Sequence, residues 1–274
     1  MFIRKLNDID AFVAIDLNDA TGHGLIRCAP KVLQGGAKEL ARTSTYALAA
    51  LGRKETGISA GIHAAPDDRE AAVANFVEEV AGWDIEYRMM AGKGIEPGSL
   101  GAVEAIADPS MLAAGAVAAA RSAQPDATSS VVDGSAGPAL IAELAANGLE
   151  VVEVDDPLTA EADLLFVGAK VGMVDHVVAD RLRCRAIVPT GPLPITTKAV
   201  AHCQRNGVLA LPDFITSIGP LVAGKRDEVC SLISETISSV MRHEDGPIIG
   251  ACERAEAFLT EWQDDLPFGR PMAT

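Results

Sequence analysis

One segment in the middle of the chain constrains the fold more than any other. Residues 129–133 (SSVVD) have the pattern of a short strand, and residues 134–139 (GSAGPA) form a glycine-rich turn. A helix is predicted over 139–147 and ends at Gly148, after which residues 149–155 (LEVVEVD) have a strand pattern again. A strand, a helix and a strand in so short a span require two parallel strands joined by a right-handed crossover.

The same alternation of strand and helix signals extends through the rest of the chain. Further strands are predicted at 12–16, 57–63, 163–167, 185–189 and 208–212. Further helices are predicted at 35–51, 67–81, 110–123 and 196–206, within 219–242, and before about residue 262. The glycine-rich stretch 87–100 is aperiodic and is predicted to be a loop, and 264–274 is predicted to be a loosely held tail.

This pattern predicts an α/β protein with two domains. An N-terminal α/β domain is expected over residues 1–108, and a doubly wound, Rossmann-type domain over 109–218. A long helix and a C-terminal helix, over 219–274, are expected to pack back on the first domain. Only 4% of the residues are aromatic, so small aliphatic side chains must fill the interior, as they do between helices and a sheet.

The charge balance argues against several classes of partner. The chain has 38 acidic and 23 basic residues, a formal charge of −15, which is the wrong sign for nucleic acid or an anionic membrane surface. No stretch approaches the ~18 apolar residues of a membrane span, and the N-terminus lacks a signal-peptide pattern. We therefore expect a cytoplasmic protein that binds neither nucleic acid nor membranes.

Cysteine and histidine spacing does not indicate a metal site. The five cysteines are scattered without a CxxC pair, so neither a disulfide framework nor a structural zinc is expected, and the thiols are predicted to be buried or half-buried. No histidine pair has HxxxH or HExxH spacing. His23 and His63 are the two histidines expected near a cleft, and His176, His202 and His243 are expected on helices; a lone histidine more often packs or caps than catalyses.

The turn after the first strand of the central unit has much of the spacing of a dinucleotide-binding loop. Gly134, Ala136 and Ala139 occupy the three small-residue positions, although Ala136 replaces the usual second glycine. Asp155 follows Gly134 by 21 positions, where an acid binds ribose hydroxyls and repels a 2′-phosphate, so NAD is favoured over NADP. The candidate cofactor residues in this unit are Gly134, Ser135, Ala136, Gly137, Pro138, Asp155 and Asp156.

Two observations keep an ordinary structural interpretation of this turn open. Asp133 places a carboxylate immediately before the turn, where it could repel the pyrophosphate that a helix N-terminus attracts. Pro138 fits the first turn of any helix, so the glycines and the proline could serve turn geometry alone.

Several segments outside this unit resemble the glutamate, leucine, phenylalanine and valine dehydrogenase family. Residues 205–224 (RNGVLALPDFITSIGPLVAG) are similar to its closing strand, proline–aspartate pair and turn into a long helix. Residues 162–170 (ADLLFVGAK) and 188–192 (VPTGP) resemble two segments near its nicotinamide site. Residues 22–27 (GHGLIR) and 45–64 resemble its substrate-binding strand and site, so the likeness covers about residues 12–245.

The resemblance implies a two-domain fold, an NAD cofactor, a small-molecule ligand and assembly into a homo-oligomer, a dimer or larger, through the first domain. It adds the cofactor-site residues Gly168, Ala169, Thr190 and Gly191. It also places three residues in the substrate site: Arg27, Ser59 and Ser217.

The family's catalytic charges are absent from the matching positions. Its two lysines, which bind the substrate carboxylate and activate water, fall at Ala47 and Ser59, and its acid falls at Gly92. Lys54 and Lys93 are candidate catalytic substitutes, with Lys170 as a further nearby lysine, although a solvated surface lysine is the simpler interpretation of each. Oxidative deamination needs an anchored carboxylate and a general base, so classical activity is not expected.

Two functions remain open from the sequence. The first is an NAD-dependent oxidoreductase that acts on an altered small substrate. The second is a non-catalytic paralogue that serves as a ligand sensor or accessory subunit and keeps the two-domain shell. The simultaneous loss of two lysines and an acid favours loss of the classical reaction.

Overall fold

The structure is a computed structural model that describes residues 1–135, 137–222 and 224–273. The chain divides into two compact units: unit 1 comprises Met1–Ala107 with Ala255–Pro271, and unit 2 comprises Asp108–Arg254 with the residues from Met272 onward.

Unit 1 is built on a five-stranded mixed sheet. Its strands are β1 (Phe2–Lys5), β2 (Ala11–Ile15), β3 (Gly22–Ala29), β4 (Thr56–His63) and β5 (Tyr87–Ala91). Their spatial order is β1-β2-β4-β3-β5, in which β3, β4 and β5 run parallel and β2 runs antiparallel to both β1 and β4.

Helices α1 (Gln34–Ala50) and α2 (Arg69–Ala81) pack on this sheet. Phe76 of α2 is fully buried in a cluster with Ile26 and Ile58 of the sheet. Helix α1 approaches β4 so closely that a Cβ at Gly57 would lie 1.9 Å from the carbonyl oxygen of Ala41. Glycine at this position is therefore what allows α1 to pack directly on β4.

Strand β5 corrects the prediction that 87–100 is a loop. Residues 87–91 (YRMMA) pair with β3 from Gly22 to Ile26, and β5 forms one edge of the sheet. An edge strand of five residues carries little periodicity of its own. Its pairing with β3 is a contact distant in sequence, which local patterns do not report.

Unit 2 is a doubly wound parallel sheet. Its strands are β6 (Ser129–Val132), β7 (Glu150–Val151), β8 (Glu161–Val167), β9 (Arg183–Pro189) and β10 (Leu209–Ala210), in the order β10-β9-β8-β6-β7. Its helices are α3 (Pro109–Ala123), α4 (Pro138–Ala146), α5 (His176–Ala179), α6 (Thr197–Arg205), α7 (Asp213–Thr216) and α8 (Arg226–Val240). Helix α9 (Pro247–Leu259) contains the boundary between the two units. The predicted fold class, including the βαβ unit β6-α4-β7, is confirmed.

The two edge strands of unit 2 are shorter than predicted. Strand β7 covers Glu150–Val151 rather than 149–155, and β10 covers Leu209–Ala210 rather than 208–212. Each pairs on one side with β6 or β9. Short edges limit the row of backbone groups left for pairing with another chain.

The C-terminal part of the chain contributes to both units. Helix α8 packs on α3 in unit 2, where a Cβ at Gly115 would lie 2.5 Å from Ile233, so the prediction that this long helix packs back on the first domain is wrong. The predicted loose tail is wrong, because its side chains and backbone are bonded. In unit 1 the Arg270 guanidinium donates to both carboxylate oxygens of Glu256 at 2.7 Å, and in unit 2 Ala273 is 1% exposed and accepts the N–H of Thr197 at 2.9 Å.

Candidate functional site

The carboxyl ends of β6, β8 and β9 meet at one edge of the sheet in unit 2. Strand β6 pairs with β7 on one side and β8 on the other, so the topological switch point lies between β6 and β8. Open α/β sheets form their ligand crevice at this point, outside the carboxyl ends of the strands. The predicted cofactor residues that follow these strands therefore lie at one edge: Gly134, Ser135, Gly137, Pro138, Gly168, Ala169, Thr190 and Gly191. Ala136, which was predicted with them, lies outside the described residues.

Asp133 connects the two turns at the switch point. One carboxylate oxygen accepts the N–H of Ser135 at 2.9 Å and its hydroxyl, and the other accepts the N–H groups of Gly168 at 2.6 Å and Ala169 at 2.8 Å. The side chain is buried, with the residue 5% exposed. These four donors offset the charge that the sequence analysis treated as an obstacle to an anionic ligand. Asp133 thus holds the β6 turn against the β8 turn.

Glycine is required at positions 168 and 191 because the backbones of the turns after β8 and β9 lie close together. A Cβ at Gly168 would lie 2.5 Å from Oγ1 of Thr190, and a Cβ at Gly191 would lie 2.6 Å from the carbonyl oxygen of Gly168. The N–H of Thr190 also donates to the carbonyl of Val167 at 2.7 Å. Packing between the β8 and β9 turns is a sufficient reason for glycine at both positions.

Gly134 and Gly137 differ, because no such packing explains them. Both are exposed, neither has a positive φ, and a Cβ built at either meets no described atom within 4 Å. Gly137 precedes the nine-residue helix α4, whose first residue is Pro138. The space beside these glycines is open at the N-terminus of a helix, where backbone N–H groups favour an anionic group.

A cavity of about 220 Å³ lies at the same edge. Its lining combines the turn residues with small and apolar side chains of α3 and α4: Pro109, Leu112, Ala113, Ser135, Gly137, Ala139, Leu140, Gly168 and Thr190. Ser135 and Gly137 of the glycine turn line this cavity, so it opens beside the helix N-terminus where the pyrophosphate of a dinucleotide would be placed.

Asp155 and Asp156 lie in the loop after β7, which corrects their predicted place at the end of a strand. Both are exposed, and the regular strand stops at Val151. Asp156 accepts the hydroxyl of Thr159 at 2.7 Å and so stabilises its own turn. Ser130 pairs with Val151, and Asp155 lies four residues beyond that pair, outside the strand.

Asp213 was not assigned a role by the sequence analysis, although its Pro–Asp pair lies in the segment that carried the resemblance. It is 8% exposed, and its Oδ2 accepts the N–H of Leu193 at 2.7 Å. Leu193 has φ of 53°, a left-handed conformation that a leucine rarely adopts. Asp213 therefore stabilises the strained turn that follows Gly191.

The burial of Asp213 predicts a measurable pH dependence of stability. Burial raises its pKa from 3.8 to about 6, against the opposing effect of the Leu193 N–H. The folded protein binds this proton more tightly than the unfolded chain, so this contribution is complete below about pH 4 and is lost as the pH rises to about 6. We expect the free energy of unfolding of wild type to fall by roughly 3 kcal/mol across this window relative to Asp213→Asn. Urea denaturation at each pH measures it, and parallel profiles for the two proteins would contradict it.

The residues predicted to bind substrate lie in different units. Arg27 and Ser59 lie on the same face of the neighbouring strands β3 and β4, because Arg27 pairs with Gly61 and Leu25 with Ser59. Ser217 belongs to unit 2, where it ends α7 and donates its hydroxyl to the carbonyl of Asp213 at 2.6 Å.

Lys54 and Lys93 lie at opposite ends of the parallel strands of unit 1, Lys54 at the amino ends and Lys93 at the carboxyl ends. Lys54 lies two residues before the start of β4, whereas Lys93 lies two residues after the end of β5, and these strands run parallel. The eight residues of β4 separate the two ends by roughly 25 Å. One catalytic site therefore does not use both lysines. Lys54, Lys93 and Lys170 are all exposed, which agrees with the simpler interpretation of each as a surface lysine.

The three positions that match the family's catalytic charges are small and packed. Ala47 of α1 is 5% exposed and Ser59 of β4 is fully buried. A Cβ at Gly92 would lie 2.6 Å from the carbonyl oxygen of Ile26, so a carboxylate side chain has no room there unless the backbone moves.

The histidines take part in local contacts of each unit. His23 bonds to Glu55 at 2.7 Å at the amino edge of the unit 1 sheet, and burial lowers its pKa. His63, at the carboxyl edge, bonds to the carbonyl of Val32 at 2.9 Å. His176 and His202 lie on helices as predicted, but His243 follows the end of α8. Among the described residues, no group of three or more His, Cys, Asp or Glu side chains is arranged to hold a metal ion.

Comparison with known proteins shows the fold. A scan against protein-family models finds no match. A search of curated protein sequences also finds none. Within the described part of the chain, no helix has the length and apolar character needed to cross a membrane.

Solved structures match at low sequence identity. L-tryptophan dehydrogenase from Nostoc punctiforme aligns with a TM-score of 0.73 over 95% of each chain at 14% identity. The hetero-hexameric glutamate dehydrogenase from Thermus thermophilus, in its leucine-bound form, aligns with a TM-score of 0.75 over 93% of this chain and 84% of its own at 17% identity. Glutamate dehydrogenase from Peptoniphilus asaccharolyticus aligns with a TM-score of 0.68 over 92% of this chain and 87% of its own at 12% identity. The chain therefore has the two-unit α/β fold of amino-acid dehydrogenases, and the predicted loss of their activity stays a prediction.

Proposed function

We propose that this protein binds NAD at the carboxyl edge of the unit 2 sheet and does not catalyse the classical oxidative deamination of glutamate or leucine. The observation that carries the proposal is the cavity at the switch point, which is lined by Ser135 and Gly137 of a turn whose two glycines, Gly134 and Gly137, no internal contact explains. The turn at Gly134, Ser135 and Gly137 would hold the pyrophosphate, and Asp155 would face the ribose hydroxyls. NAD, when bound, would supply a hydride acceptor, and NADH a hydride donor.

The preference for NAD over NADP rests on charge. Asp155 and Asp156 are both exposed in the loop after β7, and the nearby Glu153 and Glu150 are exposed as well. A 2′-phosphate placed beside this acidic loop would be repelled, and no arginine or lysine lies between residues 122 and 169 to accommodate it.

Loss of the classical reaction is supported by the unit 1 positions. Ala47, Ser59 and Gly92 supply neither the ammonium groups nor the carboxylate of that chemistry, and the exposed lysines at opposite ends of the parallel strands do not replace them. An oxidoreductase acting on an altered small substrate remains one form of the proposal. A non-catalytic ligand sensor or accessory subunit is the alternative, favoured by the absence of a relocated catalytic lysine among the described residues.

Calorimetric titration with NAD, NADH and NADP tests cofactor binding, with Gly134→Ala and Gly137→Ala as variants. Each added methyl group meets open space, so we expect the free energy of unfolding to change by no more than about 1 kcal/mol. The same methyl groups would occupy the space beside the turn where the pyrophosphate is proposed to bind, so NAD affinity is expected to fall at least tenfold. Gly168→Ala is the matched control for packing, because its Cβ clashes with Thr190 and it should lose stability first. Unchanged NAD affinity in both open-glycine variants would refute the site.

Turnover separates the two forms of the proposal. Incubation with NAD and a panel of amino, hydroxy and keto acids should change nicotinamide absorbance if the protein is an oxidoreductase. No change with any substrate, in a protein that binds NAD, would favour the sensor or accessory role. The glutamate dehydrogenase from Thermus thermophilus is a hetero-hexamer. We propose that this chain forms a homo-oligomer. Light scattering after gel filtration would test this.

A further inference from the structure

Two histidine rings lie next to each other on the surface of unit 2. His176 begins α5 and His202 lies on α6, and their ring centroids are 5.7 Å apart with the ring planes inclined at 63°. His176 is exposed and His202 is partly exposed. The pair can therefore be reached from solvent.

A carboxylate fixes the tautomer of His202. Nδ1 of His202 lies 2.6 Å from Oδ1 of Asp180, and this hydrogen bond lowers the pKa of Asp180, so the ionised carboxylate accepts the Nδ1 proton. The neutral ring then carries a free lone pair on Nε2. The amide of Asn206 donates to the same oxygen of Asp180 at 3.4 Å. Metal-binding histidines are usually oriented in this way, by a carboxylate that accepts the other ring N–H.

The separation of the two rings fits one metal ion between them. An ion bound at about 2.0–2.1 Å from one nitrogen of each ring, at a tetrahedral angle, would hold the two ring centroids roughly 5 Å apart. The observed separation of 5.7 Å is slightly longer, and rotation of the exposed His176 side chain would close the difference. An edge-to-face packing contact between the rings is the alternative explanation of the pair.

The helices that carry the two histidines are anchored. Asp175 caps α5 by accepting the N–H groups of Val177 and Val178 at 2.9 and 2.8 Å. Ala179 of α5 and Cys203 of α6 are buried in one apolar cluster. The backbone therefore keeps the histidines at a nearly constant separation, which lowers the entropic cost of binding an ion.

The charges around the pair favour a metal that prefers nitrogen ligands. The carboxylates of Asp175 and Asp180 lie close to the guanidinium groups of Arg181 and Arg205, which offset their charge. Mg²⁺ and Ca²⁺ are bound mainly by oxygen ligands, above all carboxylates. Imidazole instead suits Zn²⁺, Cu²⁺ and Ni²⁺. The class of ligand that fits this surface is a divalent transition-metal ion.

We propose that His176 and His202 bind one Zn²⁺ or similar transition-metal ion, with Asp180 as the positioning residue that orients His202. Water would fill the remaining coordination positions, since no group of three or more metal-binding side chains is found in the described part of the chain. Histidine spacing in the sequence did not indicate this site, because the two residues lie on different helices.

The proposed metal site is separate from the proposed NAD site. Asp180 lies three residues before the start of β9, so the pair lies toward the amino edge of the unit 2 sheet. The NAD cavity lies at the carboxyl edge. Metal binding therefore does not depend on the proposed function.

Calorimetric titration of the untagged protein with Zn²⁺ at neutral pH tests this site. We expect wild type to bind one ion, and His176→Gln and His202→Gln to bind it at least tenfold more weakly, because each removes one of two ligands. Asp180→Ala should weaken binding about tenfold, because His202 is no longer oriented. His243→Gln is the matched control, since His243 belongs to the same unit and bonds to Glu253 at 3.1 Å. Mg²⁺ should not bind to the pair.

Thermal unfolding and a pH series separate metal binding from ring packing. Zn²⁺ should raise the Tm of wild type but not that of the double variant His176→Gln with His202→Gln. Zinc affinity should fall below about pH 6, where the imidazoles take up protons. The proposal is overturned if the double variant binds Zn²⁺ as tightly as wild type, or if His243→Gln loses as much affinity as His176→Gln. It is also overturned if Mg²⁺ binds wild type as tightly as Zn²⁺ does.

Discussion

Replacing Arg42 with alanine is expected to lower the free energy of unfolding by about 3–5 kcal/mol, because it leaves Asp16 charged, buried and unpaired. Arg42 and Asp16 are 6% and 2% exposed and share two hydrogen bonds of 2.6 and 2.7 Å. The third nitrogen of Arg42 donates to the backbone carbonyls of Phe268 and Gly269. Urea denaturation measures the loss, and limited proteolysis near Phe268 should show the release of the C-terminal segment.

An exposed ion pair is the control for this variant. Arg185 donates to Asp126 at 2.9 Å, and their side chains are 44% and 71% exposed. Arg185→Ala should change stability by less than about 1 kcal/mol. The double variant Arg42→Met with Asp16→Leu should be more stable than Arg42→Ala, since it leaves no unpaired buried charge. A loss below about 1 kcal/mol for Arg42→Ala would contradict the expected cost of leaving Asp16 buried and unpaired.

The second large effect is expected at Asp133. Asp133→Asn should lower the free energy of unfolding by about 2–3 kcal/mol, because the amide NH2 that replaces one carboxylate oxygen cannot accept the N–H bond of Ser135 or, in the other orientation, those of Gly168 and Ala169. Release of the two turns should also weaken NAD binding at least tenfold. Calorimetry and urea denaturation on the same preparation measure both losses.

Asp163 provides a matched control at the other edge of the same sheet. Its carboxylate accepts the N–H groups of Thr128 at 2.7 Å and Ser129 at 3.1 Å, together with both hydroxyls, and these bonds lower its pKa to about 2. Asp163→Asn should lose a similar amount of stability at neutral pH and leave NAD affinity unchanged. Stronger NAD binding by Asp133→Asn would mean that the carboxylate repels the ligand, the alternative that the sequence left open.

Much of the fold was predictable because its signals are local. The turn from Gly134 to Pro138 between two short strands predicted β6-α4-β7, since a strand, a tight turn and a helix in succession allow one topology. Helix α1 and strand β4 were predicted from composition alone to within one residue at each end.

Side-chain partners in the candidate site were not predictable in the same way. The sequence showed a carboxylate at Asp133 beside an anion-binding turn, but its bonds reach Gly168 and Ala169, about 35 residues away. Lys54 and Lys93 were paired in one catalytic proposal because they flank lost charges in the sequence. The parallel direction of β4 and β5 separates them.

The sequence by itself determined the class of fold, the glycine turn at the switch point and the absence of the family's charged residues from positions 47, 59 and 92. Each of these depends on residue identity and spacing within one or two elements. The tertiary structure alone decided that β5 is a strand, that the C-terminal segment is bonded, and that two nitrogens of Arg27 are buried without a hydrogen-bond partner among the described residues. Edge pairing, burial and hydrogen-bond satisfaction depend on groups far apart in the chain, so they are set only when the elements have packed.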